Sequence, residues 1–375
     1  MKEKNQLFIV YFPYLTMEDL PEIDFGFLKI WNFDQLKEKY IPNEKIRSKV
    51  GKILGMYRAF FVGPLKGIGI VSIGDTDFRV FTGKEKEKIR LAKLILFLSF
   101  LSKNNTIEFN PNTGHRMATA ENFIPVYQKF NLETNYMTEM DGYIVPTMHG
   151  GLEINKIKYY RPAFVLSPMR FEIDKDLFDS LLELKDKRPR VFSKIINATE
   201  LFFESYHNYP LISKNARILL QASAFEILLD LPERKERKVF KEKIEKETAL
   251  PGEKRYVYYS ERRRGKKERE YLTLKGIWAD SFYTLRNHII HGAFPSDKEF
   301  SFRGKQNHTL IALLFFIFFV KRQINKSLRR KIFTDEIIWK KWYDDLFRQN
   351  REEFVYNPIS FRKIFERYLG KKVKR

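Results

Sequence analysis

Trp278-Ala-Asp-Ser-Phe-Tyr-Thr-Leu-Arg-Asn-His-Ile-Ile-His291 decides how the second half of the chain folds. On a helical wheel at about 100° per residue, Trp278, Phe282, Leu285 and Ile289 fall within about 60° of one another. That is the apolar stripe of a helix lying on a core. Arg286, Asn287 and His291 lie off it. Asn287 and His291 are four residues apart and share a face, whereas Arg286 sits about 140° from His291. The two meet only if the guanidinium swings or a second molecule helps. Tyr283 and Ile290 are placed on this same outer face, so something is expected to pack there. His291 ends the helix just before Gly292, where the negative end of the helix dipole favours imidazolium. His288 points away from Arg286 and reads as peripheral.

Outward from this stretch, helical spacing recurs. Phe178, Leu181, Leu182 and Leu184 carry it first, then Val191 to Phe203 and Ala216 to Leu231. Further helices are expected at Thr273 to His291, His308 to Ile324, Asp335 to Arg348 and Ile359 to Leu369. Pro232 stops one helix, and Gly292 with Pro295 stops another. Glu233 to Glu270 is highly charged, helical at first and looser around Pro251-Gly252 and Arg262-Arg263-Arg264-Gly265. Residues 173–375 are therefore expected to form an all-α bundle.

Residues 1–172 differ in character and read as a mixed, β-rich domain. Strands are expected at Gln6 to Tyr14, Phe25 to Trp31, Gly67 to Ile73, Phe78 to Phe81, Thr106 to Phe109, Tyr143 to Val145 and Ile154 to Tyr160. One helix, Lys84 to Leu101, interrupts them. Gly67-x-Gly69 lies inside a strand-like run and opens no helix, so it is not a nucleotide loop. His149-Gly150-Gly151 reads as a turn. The fold class is α+β, with the strands first and the helices after.

Cysteine is absent, which removes disulfides, thiol nucleophiles and cysteine-based zinc sites. His288 and His291 lack a third ligand nearby, so neither a metal nor another cofactor is expected. The most apolar run, Leu310 to Val320, is about half a bilayer span and reads as a core helix. The N-terminus is charged too early for a signal peptide, so a cytoplasmic protein without membrane contact is expected. Net charge is +22. Residues 231–271 hold 15 Lys/Arg against 9 Asp/Glu, and residues 321–375 hold 17 against 7. A surplus concentrated in this way attracts polyanions, RNA among them. The cations expected to bind it include Arg262, Arg263, Arg264, Lys266 and Lys267, and also Lys371 and Lys372.

Ser281-Phe-Tyr-Thr-Leu-Arg-Asn-His-Ile-Ile-His-Gly292 resembles the R-N-x-x-x-H-G signature of HEPN domains, particularly the Apea-like branch. Upstream, Gln221-Ala-Ser-Ala-Phe-Glu-Ile-Leu-Leu229 resembles the helix in which that branch carries a glutamate amid apolar residues. The resemblance covers roughly residues 190–325. It implies a helical bundle that forms homodimers and commonly acts as a metal-independent endoribonuclease, often in prokaryotic defence or as a toxin. It also implies a composite site in which the arginine and histidine of two subunits converge. Arg286 would hold the scissile phosphate, His291 would act as general base or acid, and Asn287 would orient phosphate or histidine. Glu226 would either buttress Arg286 or His291, or simply pair with a structural arginine. The N-terminal domain carries no such resemblance and is expected to sense a ligand or restrain the nuclease. Two alternatives stay open: a catalytically silent HEPN module that binds RNA or nucleotides or serves as a dimerisation scaffold, and a DNA-binding regulator.

Overall fold

The structure is a computed structural model. It describes residues 6–17, 19–59, 63–72, 83–103, 109–110, 114–115, 120–131, 136–141, 152–153, 159–160, 173–207, 212–249, 251–261, 267–303 and 306–331. The chain divides into two compact units that part between Asp174 and Lys175. The expected strands at 78–81 and 143–145, the turn at 149–151 and the helices at 335–348 and 359–369 lie outside the described residues.

The first unit is built on an antiparallel seven-stranded sheet. Its order is Leu152–Glu153, Tyr136–Asp141, Val126–Asn131, Gln6–Thr16, Ile68–Ser72, Lys29–Asn32 and Glu22–Asp24. The long strand Gln6–Thr16 is central, pairing Tyr11 with Ile70 on one side and Val10 with Tyr127 on the other. Two short helices, α1 (Phe33–Tyr40) and α2 (Glu44–Leu54), were not expected from the sequence. Each is started by an asparagine cap: Asn32 accepts from the backbone N–H of Asp34 and Gln35, and Asn43 from that of Ile46. Their Phe33, Val50, Ile53 and Leu54 join Tyr11, Trp31, Tyr57 and Ile70 in one core. Helix α3 (Gly83–Lys103) has a charged first half and a buried second half. Gly69 sits where a Cβ would lie 2.8 Å from Ile30 Cγ2, so the Gly-x-Gly run serves close strand packing. Of the expected strand 25–31 only residues 29–31 are strand; residues 25–28 form the turn between Glu22–Asp24 and Lys29–Asn32, where Gly26 takes φ +75°.

The second unit holds α4 (Lys175–Lys187), α5 (Pro189–Glu204), α6 (Lys214–Leu229), α7 (Glu236–Thr248), α8 (Leu274–Ile290) and α9 (His308–Leu328). Ring contacts join them: Phe202 stacks on Phe316 at 4.1 Å and Trp278 on Phe315 at 4.7 Å, and Phe240 meets Tyr283 at a tilt at 4.6 Å. Ile311 to Val320 of α9 are all buried. Among the described residues no helix is long and apolar enough to cross a membrane.

This unit is not all-α. Between α7 and α8 the strands Tyr256–Glu261 and Lys267–Leu272 form an antiparallel ribbon, and Ser301–Phe302 pairs with Gln306–Asn307. The correction has a plain cause. Tyr256, Tyr258 and Ser260 alternate with Val257 and Tyr259, a period of two that favours a half-buried strand. The surrounding charges hide that period in the sequence.

Candidate functional site

Helix α8 carries the motif, and its first half is fixed by charge as much as by packing. Thr273 caps it, accepting from Gly276 N at 3.2 Å. Glu245 of α7 accepts from both the backbone N–H and the hydroxyl of Thr273 at 2.7 Å. Lys275, fully buried, donates to the Thr248 carbonyl at 2.8 Å and pairs with Glu253 at 2.9 Å. Asp280 is buried opposite Arg237 Nε at 3.2 Å and Lys241 Nζ at 3.9 Å. Burial pushes its carboxyl above the usual carboxylate range, while Arg237 and Lys241 pull it back. Every residue from Leu274 to Asp280 is buried, so only the last turns of α8 reach the surface.

Those last turns present the motif. Arg286 donates from Nη2 to Glu226 Oε1 of α6 and from Nη1 to Asn287 Oδ1, both at 3.0 Å. The Arg286 and Glu226 side chains are 20% and 25% exposed, which leaves the guanidinium oriented yet reachable. A guanidinium has five N–H groups, so donors remain for an anion. Asn287 thus positions the arginine, and among the described residues no side-chain contact joins it to His291.

His291 is the C-cap of α8, and its backbone N–H closes the helix on the Asn287 carbonyl at 3.0 Å. Gly292 follows at φ +81°, a left-handed conformation that favours glycine and turns the chain away. His291 is therefore exposed at the tip. Among the described residues no side-chain hydrogen bond or ion pair joins it to Arg286. Ile290 is 50% exposed and Phe294 is 96% exposed, so two large apolar side chains flank this histidine. His288 turns toward Glu299, with Nδ1 and Oε1 4.0 Å apart.

Tyr283 is not on the outer face. It is fully buried against Phe240 and Phe282, with its hydroxyl 3.5 Å from the Ala222 carbonyl. Helix α7 covers the flank of α8 that the single-stripe wheel left open. Burial, and then the charge of Glu226, push the phenol well above its usual range. Tyr283 therefore packs beneath Glu226 and Arg286 as part of the core.

A depression of about 580 Å³ adjoins Glu226, between α5 and α6, and sequence reasoning missed it. Arg190, Ser193, Lys194 and Asn197 line one wall, with Lys194 held by Asp230 at 2.6 Å. Their spacing of three, four and seven along α5 was the available signal. Arg262, Arg263, Arg264 and Lys266 lie outside the described residues, and Lys267 opens the second strand of the ribbon. Among the described residues, no three His, Asp or Glu side chains are grouped as a metal ion would require.

No protein-family model, curated protein or solved structure matches this chain.

Proposed function

We propose that the second unit is a HEPN-type endoribonuclease whose site is completed by a second copy of the chain. One observation carries this reading. Arg286 is clamped by Glu226 and Asn287 with donors to spare, while His291 stands exposed at the helix tip between Ile290 and Phe294. An anion site and a proton carrier are thus present but unjoined, beside apolar surface of the kind that interfaces bury. A two-fold axis through this face would bring them together.

The chemistry is that of RNA cutting itself. The 2′-oxygen attacks the adjacent phosphorus while its proton passes to one His291. The bond from phosphorus to the 5′-oxygen breaks, and that oxygen takes a proton from the His291 of the other copy. The products are a 2′,3′-cyclic phosphate and a 5′-hydroxyl. Positioned proton transfer contributes about 10²–10⁴-fold, and the Arg286 fork steadies the charge growing on the phosphoryl oxygens. DNA, lacking the 2′-hydroxyl, would be spared. A role in prokaryotic defence or as a toxin, with the first unit sensing or restraining, extends the same proposal.

The Arg286–Glu226 ion pair also favours a second reading, in which the arginine only ties α8 to α6 and the unit is a silent RNA-binding module. Incubating the protein with labelled RNA and DNA, with and without chelator, separates the two. The nuclease cuts RNA alone in both conditions, and the silent module cuts neither.

A further inference from the structure

Five large apolar side chains are exposed among the described residues, and three of them share one face of the ribbon: Val257 at 47%, Tyr259 at 56% and Tyr271 at 56%. We propose that this face is a stacking platform for single-stranded RNA, separate from the cleavage residues.

The register builds the face. Val257 lies opposite Tyr271, and Tyr259 lies opposite Arg269, so these four project to the same side. All four are exposed. The alternate residues turn inward and are engaged there. Leu272 and Ser260 are buried, the Ser260 hydroxyl donates to Glu270 at 3.2 Å, and Glu270 pairs with the nearly buried Lys241 of α7. The ribbon cannot turn over without breaking that pair, so the tyrosines are held outward by the fold.

Charge selects the occupant. Residues 254–272 hold eight Lys/Arg against three Asp/Glu. Of the acids, Glu270 is engaged inward by Lys241, Glu268 lies opposite buried Ser260 on the inner register, and Glu261 lies on the outer register opposite Lys267. Arg269 lies over the Tyr271 ring at 5.4 Å and donates to its hydroxyl at 2.8 Å. A phosphate beside that ring therefore meets a cation already in place. Tyr259 and Tyr271 are diagonal neighbours across the ribbon, about 7–8 Å apart at the backbone. That is near two steps of about 3.4 Å along a strand. Flat aromatic faces with adjacent cations suit unpaired bases, whereas a duplex keeps its base faces hidden.

The test measures fluorescence anisotropy of a labelled 12-nucleotide single-stranded RNA with the full chain in a His291→Ala background. Threonine keeps the strand preference, so Tyr259→Thr and Tyr271→Thr remove the rings with little expected harm to the ribbon. Each should weaken binding about tenfold, while Tyr259→Phe and Tyr271→Phe stay within about twofold. The tyrosine variants should keep the parent's salt dependence, and Arg269→Ala should flatten it. Binding of a 12-base-pair RNA duplex should be indifferent to both rings. The platform is overturned if the double threonine variant, with the parent's thermal midpoint, binds the single strand as the parent does. It is also overturned if the parent binds no single-stranded RNA, since the face would then serve another kind of partner. Neither outcome bears on cleavage, which is read separately on Arg286 and His291.

Discussion

Arg286 of α8 and Glu226 of α6 meet at 3.0 Å, although sixty residues separate them in the chain. The pair is only about a quarter exposed or less. A pair so placed contributes on the order of 1 kcal/mol to stability. Its larger consequence is to fix where the guanidinium points.

Glu226→Ala should therefore cost little stability and much activity. Thermal unfolding should shift by a few degrees, while RNA cleavage falls by about ten- to a hundredfold through kcat. Glu226→Gln, which still accepts a hydrogen bond, should recover part of that loss. Equal, proportionate losses of stability and activity would make the pair merely structural.

Ile290 and Phe294 should hold two copies together. Ile290→Asp with Phe294→Asp is expected to give a folded monomer by light scattering at micromolar concentration, with cleavage lost. Both side chains are exposed, so circular dichroism should not change. A parent protein that is monomeric at that concentration, with full activity, contradicts the composite site.

His308 gives a pH dependence of known sign. It is buried between Phe282 and Phe302, and burial lowers its pKa from 6.5 to about 3. The folded state thus prefers the neutral ring. The stability it contributes is complete above pH 6.5 and is lost as the pH falls from there toward about 3. Denaturant midpoints of the parent should decline over that window more steeply than those of His308→Phe. Parallel curves for the two proteins would remove His308 as the cause.

Helix α8 was legible because one 3.6-residue period runs through Trp278, Phe282 and Leu285. Tyr283 was misplaced because a wheel finds one buried stripe, whereas α7 buries a second flank through Phe240. The β-then-α order was visible in punctuation and period. The ribbon was not, because its alternation spans six residues per strand and is interrupted by charges. Helices α1 and α2 are eight and eleven residues long, too short for periodicity to stand out without their asparagine caps. The Glu226–Arg286 contact was anticipated as one of several roles, since sequence gives no distance between helices. The α5 wall of the neighbouring depression needed the packing of α5 on α6 before Arg190 and Asn197 acquired a common context.

Complementation tests whether one arginine and one histidine supplied by different chains make a working site. Mixed dimers of Arg286→Ala and His291→Ala should stay inactive, if each site draws both residues from both chains. Asn287→Ala should lose less than either, because it orients the arginine without carrying proton or charge. His288→Ala should be mild. Restored activity in the mixture would mean that one arginine and one histidine suffice.

The most direct measurement is cleavage of an end-labelled RNA by the parent and by His291→Ala, in excess EDTA, with the product ends identified. The parent should cut and leave 2′,3′-cyclic phosphate or 3′-phosphate ends, and His291→Ala should lose about 10²–10⁴-fold. Cleavage that requires magnesium, or a His291→Ala protein that cuts as fast as the parent, would contradict the assignment.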